Sequence, residues 1–191
     1  MLWILIPFPI VYYVQLPPKY LVPCIPAVIL LCFRLLEDCS ARVARLATVT
    51  LIVAGTVYSL LILRSDAEFA RFGRDSMYRL IEPHVAAGQR VWFGSQFSAY
   101  WYAPLAGATL TFPGGPQPSP GDLLIVGLNE KGYLTLARFP HRTLVDAISH
   151  KFSFGRTWGG GVGLYSNYGS AFWLWGLGEN PDDRYELWRI D

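Results

Sequence analysis

The sequence predicts two to three N-terminal membrane-spanning helices followed by a small α/β domain with a mainly parallel sheet. Three observations carry that expectation. Leu46–Leu63 (LATVTLIVAGTVYSLLIL) runs 18 residues without a charged side chain, enough as a helix to cross most of a hydrocarbon core. Residues 1–63 hold four Lys/Arg and two Asp/Glu, whereas residues 64–191 hold twelve of each. Beyond Arg64, patterns of helix and strand length alternate between Gly/Pro breaks, as in a chain that builds a parallel sheet.

In chain order, the first candidate span covers roughly residues 2–16 (LWILIPFPIVYYVQL). Pro7 and Pro9 would kink or break a helix there. The segment has neither the positive start nor the small-residue cleavage site of a secretory signal. Pro17, Pro18 and Lys19 make a polar break before a second candidate span over residues 20–36. Arg34 near its end can reach the headgroups along its aliphatic stem. The third, residues 46–63, has only short hydroxyls and Tyr58 as polar side chains, and Arg45 and Arg64 close its ends. A buried helix of a soluble protein would pass the same test. The apolar segment standing just before it favours the membrane.

Arg34, Arg42 and Arg45 cluster around the short loop at residues 37–44. Short loops rich in Arg and Lys stay cytoplasmic, so Lys19 and everything after Arg64 are expected on the opposite side. In a bacterium this places the chain in the inner membrane with residues 65–191 as an extracytoplasmic, periplasmic domain.

Within that domain, Ser65 and Glu68 have the spacing of a capping box that starts a new helix. Phe69, Phe72, Met77, Leu80 and Ile81 fall on one helical face, and Pro83 and Gly88 mark its exit. Arg90–Gly94 reads as a strand, Ser95–Leu105 as a short aromatic helix and Ala108–Phe112 as a second strand. Pro113–Gly121 holds four prolines and three glycines and reads as an extended loop. Asp122–Leu128 has the continuous apolar run of a strand covered on both faces. Tyr133–Ala137 and Thr143–His150 fit helix and strand equally. Tyr185–Ile190 alternates and reads as an edge strand.

Composition excludes some classes of function. The neutral second half has no basic run and does not suit nucleic acid as a partner. Cys24, Cys32 and Cys39 all lie in the membrane half, so no disulfide framework holds the domain. The glycines of Trp158–Tyr165 (WGGGVGLY) miss the dinucleotide fingerprint and are followed by no Gly-Lys-Ser/Thr, which favours a plain turn-rich loop and no nucleotide cofactor. Asp146 and His150 are four apart and could share a helix face, but no third ligand is placed for a metal. Neither G-x-S-x-G nor H-E-x-x-H occurs. The aromatic run holding Trp92, Tyr100, Trp101 and Tyr102 is the candidate substrate-binding surface. Such rings stack on a sugar or rest at a membrane surface, though core packing explains them too.

Several stretches resemble one family. Pro17–Leu31 (PPKYLVPCIPAVILL) is similar to the Arg/Lys-Tyr-Leu-x-Pro-x-x-Pro start of a late transmembrane helix in GT-C glycosyltransferases, the polyprenyl-phosphate-sugar-dependent membrane enzymes. Arg90–Tyr102 (RVWFGSQFSAYWY), Gly163–Trp173 (GLYSNYGSAFW) and Asp183–Ile190 (DRYELWRI) resemble the extracytoplasmic C-terminal domain of bacterial members, such as the protein mannosyltransferases and aminoarabinose transferases. The likeness covers nearly all of this chain and only the last third of such an enzyme. It implies a polyprenyl-phosphate sugar and the absent N-terminal membrane half as partners, with Lys19 and Tyr20 touching the lipid phosphate. The family's catalytic acid sits in its first extracytoplasmic loop, which nothing here matches. Glu37 and Asp38 are the only acids before Arg64 and fall on the cytoplasmic side of the expected topology. No catalytic residue is implied. A membrane-anchored binding domain for a glycan or a protein is the alternative.

Overall fold

A computed structural model describes residues 25–37, 39–95, 98–128, 132–152, 155–159, 162–163, 176–177 and 183–191. The expected helix over residues 2–16, together with Lys19 and Tyr20, lies outside the described residues. The chain forms two compact units, one of residues 1–66 and 154–178 and one of residues 67–153 and 179–191.

In the first unit, helix α1 spans Ile25–Glu37. Its 13 residues rise about 20 Å, short of a full hydrocarbon core. Val28, Ile29, Leu30 and Phe33 are exposed on it. Helix α2 spans Ala41–Ala86, 46 residues and about 69 Å, with residues 41–66 in this unit and 67–86 in the second. It is the one described helix that is long and apolar enough to cross a membrane. None of its 18-residue apolar window is buried, and Leu46, Leu51, Ile52, Leu60 and Leu63 all stand exposed. The core helix of a soluble protein would bury such residues.

The helix expected to start at Ser65 does not start there. Ser65 lies inside α2 and is fully buried. A capping box satisfies N–H groups that have no carbonyl one turn back. Here the preceding helix supplies those carbonyls, and no Gly or Pro between Leu60 and Asp66 interrupts it. Glu68 is thereby released for another partner. Of the two residues expected to mark the exit of α2, Pro83 lies inside the helix and Gly88 ends it: Gly88 adopts φ +76°, and the Gly88 and Gln89 N–H groups donate back to Val85 and His84 carbonyls at 2.9 Å.

The second unit is built on a five-stranded sheet. Its elements are β1 (Val91–Phe93), α3 (Ser98–Leu105), β2 (Thr109–Leu110), β3 (Leu123–Gly127), α4 (Gly132–Leu136), β4 (Arg142–Ser149) and, after the antiparallel pair Trp158–Gly159 (β5) and Val162–Gly163 (β6) of the first unit, β7 (Arg184–Ile190). The strand order is β2-β1-β3-β7-β4. β1 pairs parallel with β2 and β3; β7 pairs antiparallel with both β3 and β4. The sheet is therefore mixed, which corrects the expectation of a mainly parallel one. It also corrects the edge assignment of the last strand. β7 is interior, with Leu124 opposite Trp188 on one side and Leu144 opposite Trp188 on the other. Its alternation marks two chemically different faces, not one wet face. Even Glu186 on it is buried, held by Arg184 Nε at 2.8 Å and Trp188 Nε1 at 3.0 Å.

Successive strand residues point to opposite faces, and the core divides accordingly. Val91, Phe93, Leu123, Ile125, Tyr185 and Leu187 pack against Phe72, Met77, Leu80 and Ile81 of α2 and against Ala99 and Ala103 of α3. Trp92, Leu124, Val126 and Ile190 pack on the other face with Leu136 of α4. Met77, Leu80 and Ile81 are at most 1% exposed, and each contributes about 1.5–3 kcal/mol on burial. α3 lies close to α2 because Gly73 leaves room: a Cβ there would stand 2.4 Å from Ser98 Cβ.

Candidate functional site

Open α/β sheets bind ligands at the carboxyl ends of parallel strands where the order switches direction. The β2-β1-β3 order puts that point between the ends of β1 and β3. In this domain it is filled. Ser95 Oγ accepts a hydrogen bond from Gly127 N, and Thr135 Oγ1 donates to Gly94 O at 2.5 Å. A Cβ on Gly94 would lie 2.2 Å from Thr135 Cγ2. The Thr135–Gly94 contact closes α4 onto the sheet, and the Ser95–Gly127 bond ties the ends of β1 and β3 together.

The aromatic candidates separate. Trp92 is 8% exposed, inside the second core layer, and its Nε1 donates to Asp122 Oδ2 at 2.9 Å. Tyr102 is half-buried against the first layer. Tyr100 and Trp101 on α3 are 61% and 70% exposed, with the Tyr100 ring edge-on to Phe93 at 6.3 Å and 79°. Tyr100 and Trp101 therefore form an open aromatic surface, and Trp92 faces the opposite side of the sheet. The reason is register: Phe93 and Trp92 are consecutive on a strand and cannot share a face.

A second place gathers ionisable groups. Along one stripe of α2, Glu68, Arg71, Phe72, Asp75, Ser76 and Arg79 line a groove of about 300 Å³ whose other wall is Ile148 and His150 from β4 and its end. His150 Nε2 meets Glu68 Oε1 at 2.9 Å. Its ring stacks on Phe72 at 5.1 Å and 23°, and meets Phe152 edge-on at 4.8 Å. The sequence paired His150 with Asp146 on a helix face; the structure replaces that pairing. Residues 142–149 are a strand with an irregularity between Leu144 and Asp146, and Asp146 Oδ1 accepts from its neighbour Ala147 N. Glu68 and His150 are 82 residues apart, so no local spacing could signal their meeting.

Arg74 Nε donates to Asp75 Oδ1 at 2.9 Å. This hydrogen bond, reinforced by the carboxylate's charge, raises the Arg74 pKa above its ordinary value. Among the described residues no group of three or more His, Cys, Asp or Glu is placed to hold a metal ion.

No family model, curated protein or solved structure matches the chain.

Proposed function

We propose that the chain is the C-terminal membrane and extracytoplasmic portion of a polyprenyl-phosphate-sugar-dependent glycosyltransferase of the GT-C type. One observation carries this reading. The exposed apolar half of α2 continues without a break into the turns that bury Phe72, Met77, Leu80 and Ile81 in the α/β core. That continuity suits a last membrane span leading straight into a domain that caps a membrane enzyme. The stretches at Pro17–Leu31 and Arg90–Tyr102 supply the family resemblance, and α1 with the segment before it would add one or two further spans. Such an enzyme takes its acceptor's proton with a carboxylate near the membrane face. That group would come from the N-terminal half, and Lys19 and Tyr20 would steady the departing lipid phosphate.

Two measurements test the proposal. Reporter fusions should be active in the periplasm after Asp191 and in the cytoplasm at Ser40; the reverse would remove the orientation and the role of Lys19. In liposomes with a radiolabelled polyprenyl-phosphate sugar and an acceptor extract, the chain alone should transfer nothing. Turnover by the chain alone, lost in Asp146→Asn or Glu68→Gln, would overturn the reading and move the chemistry to the soluble domain.

The exposed pair Tyr100 and Trp101 favours a second reading, a membrane-anchored, non-catalytic domain that binds glycan through these rings. An upstream reading frame encoding further spans with an early loop carboxylate would favour the first reading. A promoter directly before Met1 would favour the second.

A further inference from the structure

The groove between α2 and β4 is not explained by either reading. Its carboxylates are already engaged: Glu68 meets His150 at 2.9 Å and Asp75 meets Arg74 at 2.9 Å. Its remaining cations are not. Arg71 and Arg79 line the groove with exposed side chains, and among the described residues neither makes an ion pair or a side-chain hydrogen bond. Ser76 lies between them on the same stripe, 2% exposed, and its buried Oγ has no hydrogen-bond partner among the described residues. Buried hydroxyls are nearly always satisfied. An orphan hydroxyl on the floor of a groove rimmed by two unpaired guanidinium groups is a place for an oxyanion.

We propose that this groove binds a phosphoryl group. Arg71 and Arg79 are eight residues apart, about 12 Å along the helix axis, so their long side chains can converge on one anion from either end. Ser76, three residues before Arg79, has a hydroxyl that is buried and unbonded, and rotation about its Cα–Cβ bond brings it up to donate from below. A guanidinium fork saturates the two oxygens of a carboxylate, whereas a phosphoryl group has oxygens for two guanidinium groups and a hydroxyl at once. Phe72 and Ile148 provide an apolar wall for whatever carries the phosphate. Asp75 sits one turn from each arginine and is the natural competitor. Its engagement by Arg74 lowers that competition without abolishing it. The phosphate could belong to a lipid headgroup or to a soluble ester, and the experiment separates the two.

The full chain in nanodiscs of phosphatidylcholine is treated with phenylglyoxal, and arginine adducts are quantified by mass spectrometry at constant ionic strength. The reference is Arg90, whose side chain is 68% exposed. If the ligand is soluble, inorganic phosphate at about 10 mM slows modification of Arg71 and Arg79 at least fivefold relative to Arg90, and chloride does not. If the source is a headgroup, the same protection occurs only when phosphatidic acid replaces part of the phosphatidylcholine. Ser76→Ala should reduce the protection below twofold while the melting temperature holds. Asp75→Asn should deepen it. The proposal is overturned if neither phosphate source protects these two arginines selectively. It is equally overturned if protection of Arg79 is unchanged in both Ser76→Ala and Arg71→Gln.

Discussion

Asp122→Ala isolates one buried polar anchor of the sheet. Asp122 is 5% exposed at the start of β3. Its Oδ2 accepts from Trp92 Nε1 and from Ser119 N, each at 2.9 Å, and its Oδ1 faces Arg90 Nε at 3.0 Å. The three losses differ in size. The Trp92 indole N–H stays buried without an acceptor, which costs about 1–3 kcal/mol. The Ser119 N–H is partly exposed and recovers water, so it adds about 0.5–1 kcal/mol. The Arg90 guanidinium is 68% exposed and contributes at most about 0.5 kcal/mol after solvent screening. The total is about 1.5–4.5 kcal/mol, dominated by the indole, and lowers the melting temperature by roughly 10 °C. The assay is thermal unfolding of the full chain in mild detergent, followed by near-ultraviolet circular dichroism. Trp92→Phe removes the indole donor and should itself cost about 1–2 kcal/mol. Placed on Asp122→Ala it should cost almost nothing, because the orphan donor has gone. A coupling of about 1 kcal/mol or more is therefore expected. Strict additivity of the two substitutions, or an Asp122→Ala protein that melts within 2 °C of the parent, would refute the assignment of Trp92 to structure.

Three further outcomes are expected. Gly73→Ala should destabilise by about 1–2 kcal/mol, because overpacking against Ser98 at 2.4 Å outweighs the helix preference for alanine; Ser98→Gly should restore the double variant on chemical denaturation. Tyr100→Ala with Trp101→Ala should leave the melting temperature within the error of a surface change, about 0.5 kcal/mol, while any glycan retained by the parent on an oligosaccharide array is lost. Arg142→Lys should cost about 1.5–3 kcal/mol in the same melt: Nη1 donates to Leu136 O at 3.0 Å and to Phe139 O, and the guanidinium lies 4.9 Å from the Trp188 ring centroid. An ammonium has no plane to lay on the Trp188 ring, and its shorter stem does not bring one nitrogen to both carbonyls.

Local pattern revealed most of the second unit's elements. The helical face from Phe72 to Ile81, the strands at Val91–Phe93 and Leu123–Gly127, the long proline loop and the glycine exit of α2 all follow from side-chain period and backbone freedom, which a short window contains. The capping box at Ser65 misled for the same reason. Its residues are right, but the window omits the helix that already satisfies their N–H groups. The candidate groove was not legible at all. Glu68 and His150 carry no mutual spacing, and Ser76 looks like any helical serine until its hydroxyl is seen to be buried and unbonded. Of the aromatic run, composition alone could not say that Trp92 is core and Trp101 is surface, since that depends on which face of β1 meets α2.

By itself, then, the sequence determined a long uncharged apolar helix, a chemically separate second half and an α/β succession of elements, because each is set by hydropathy and period within a few turns of chain. Tertiary structure decided that Leu46–Leu63 and the capped segment are one helix, and that the last strand inserts between β3 and β4 to make the sheet mixed. It also decided which ionisable groups face one another across α2 and β4. Those outcomes depend on pairing residues tens of positions apart, where the choice is made by how buried faces fit and by no property of either segment alone.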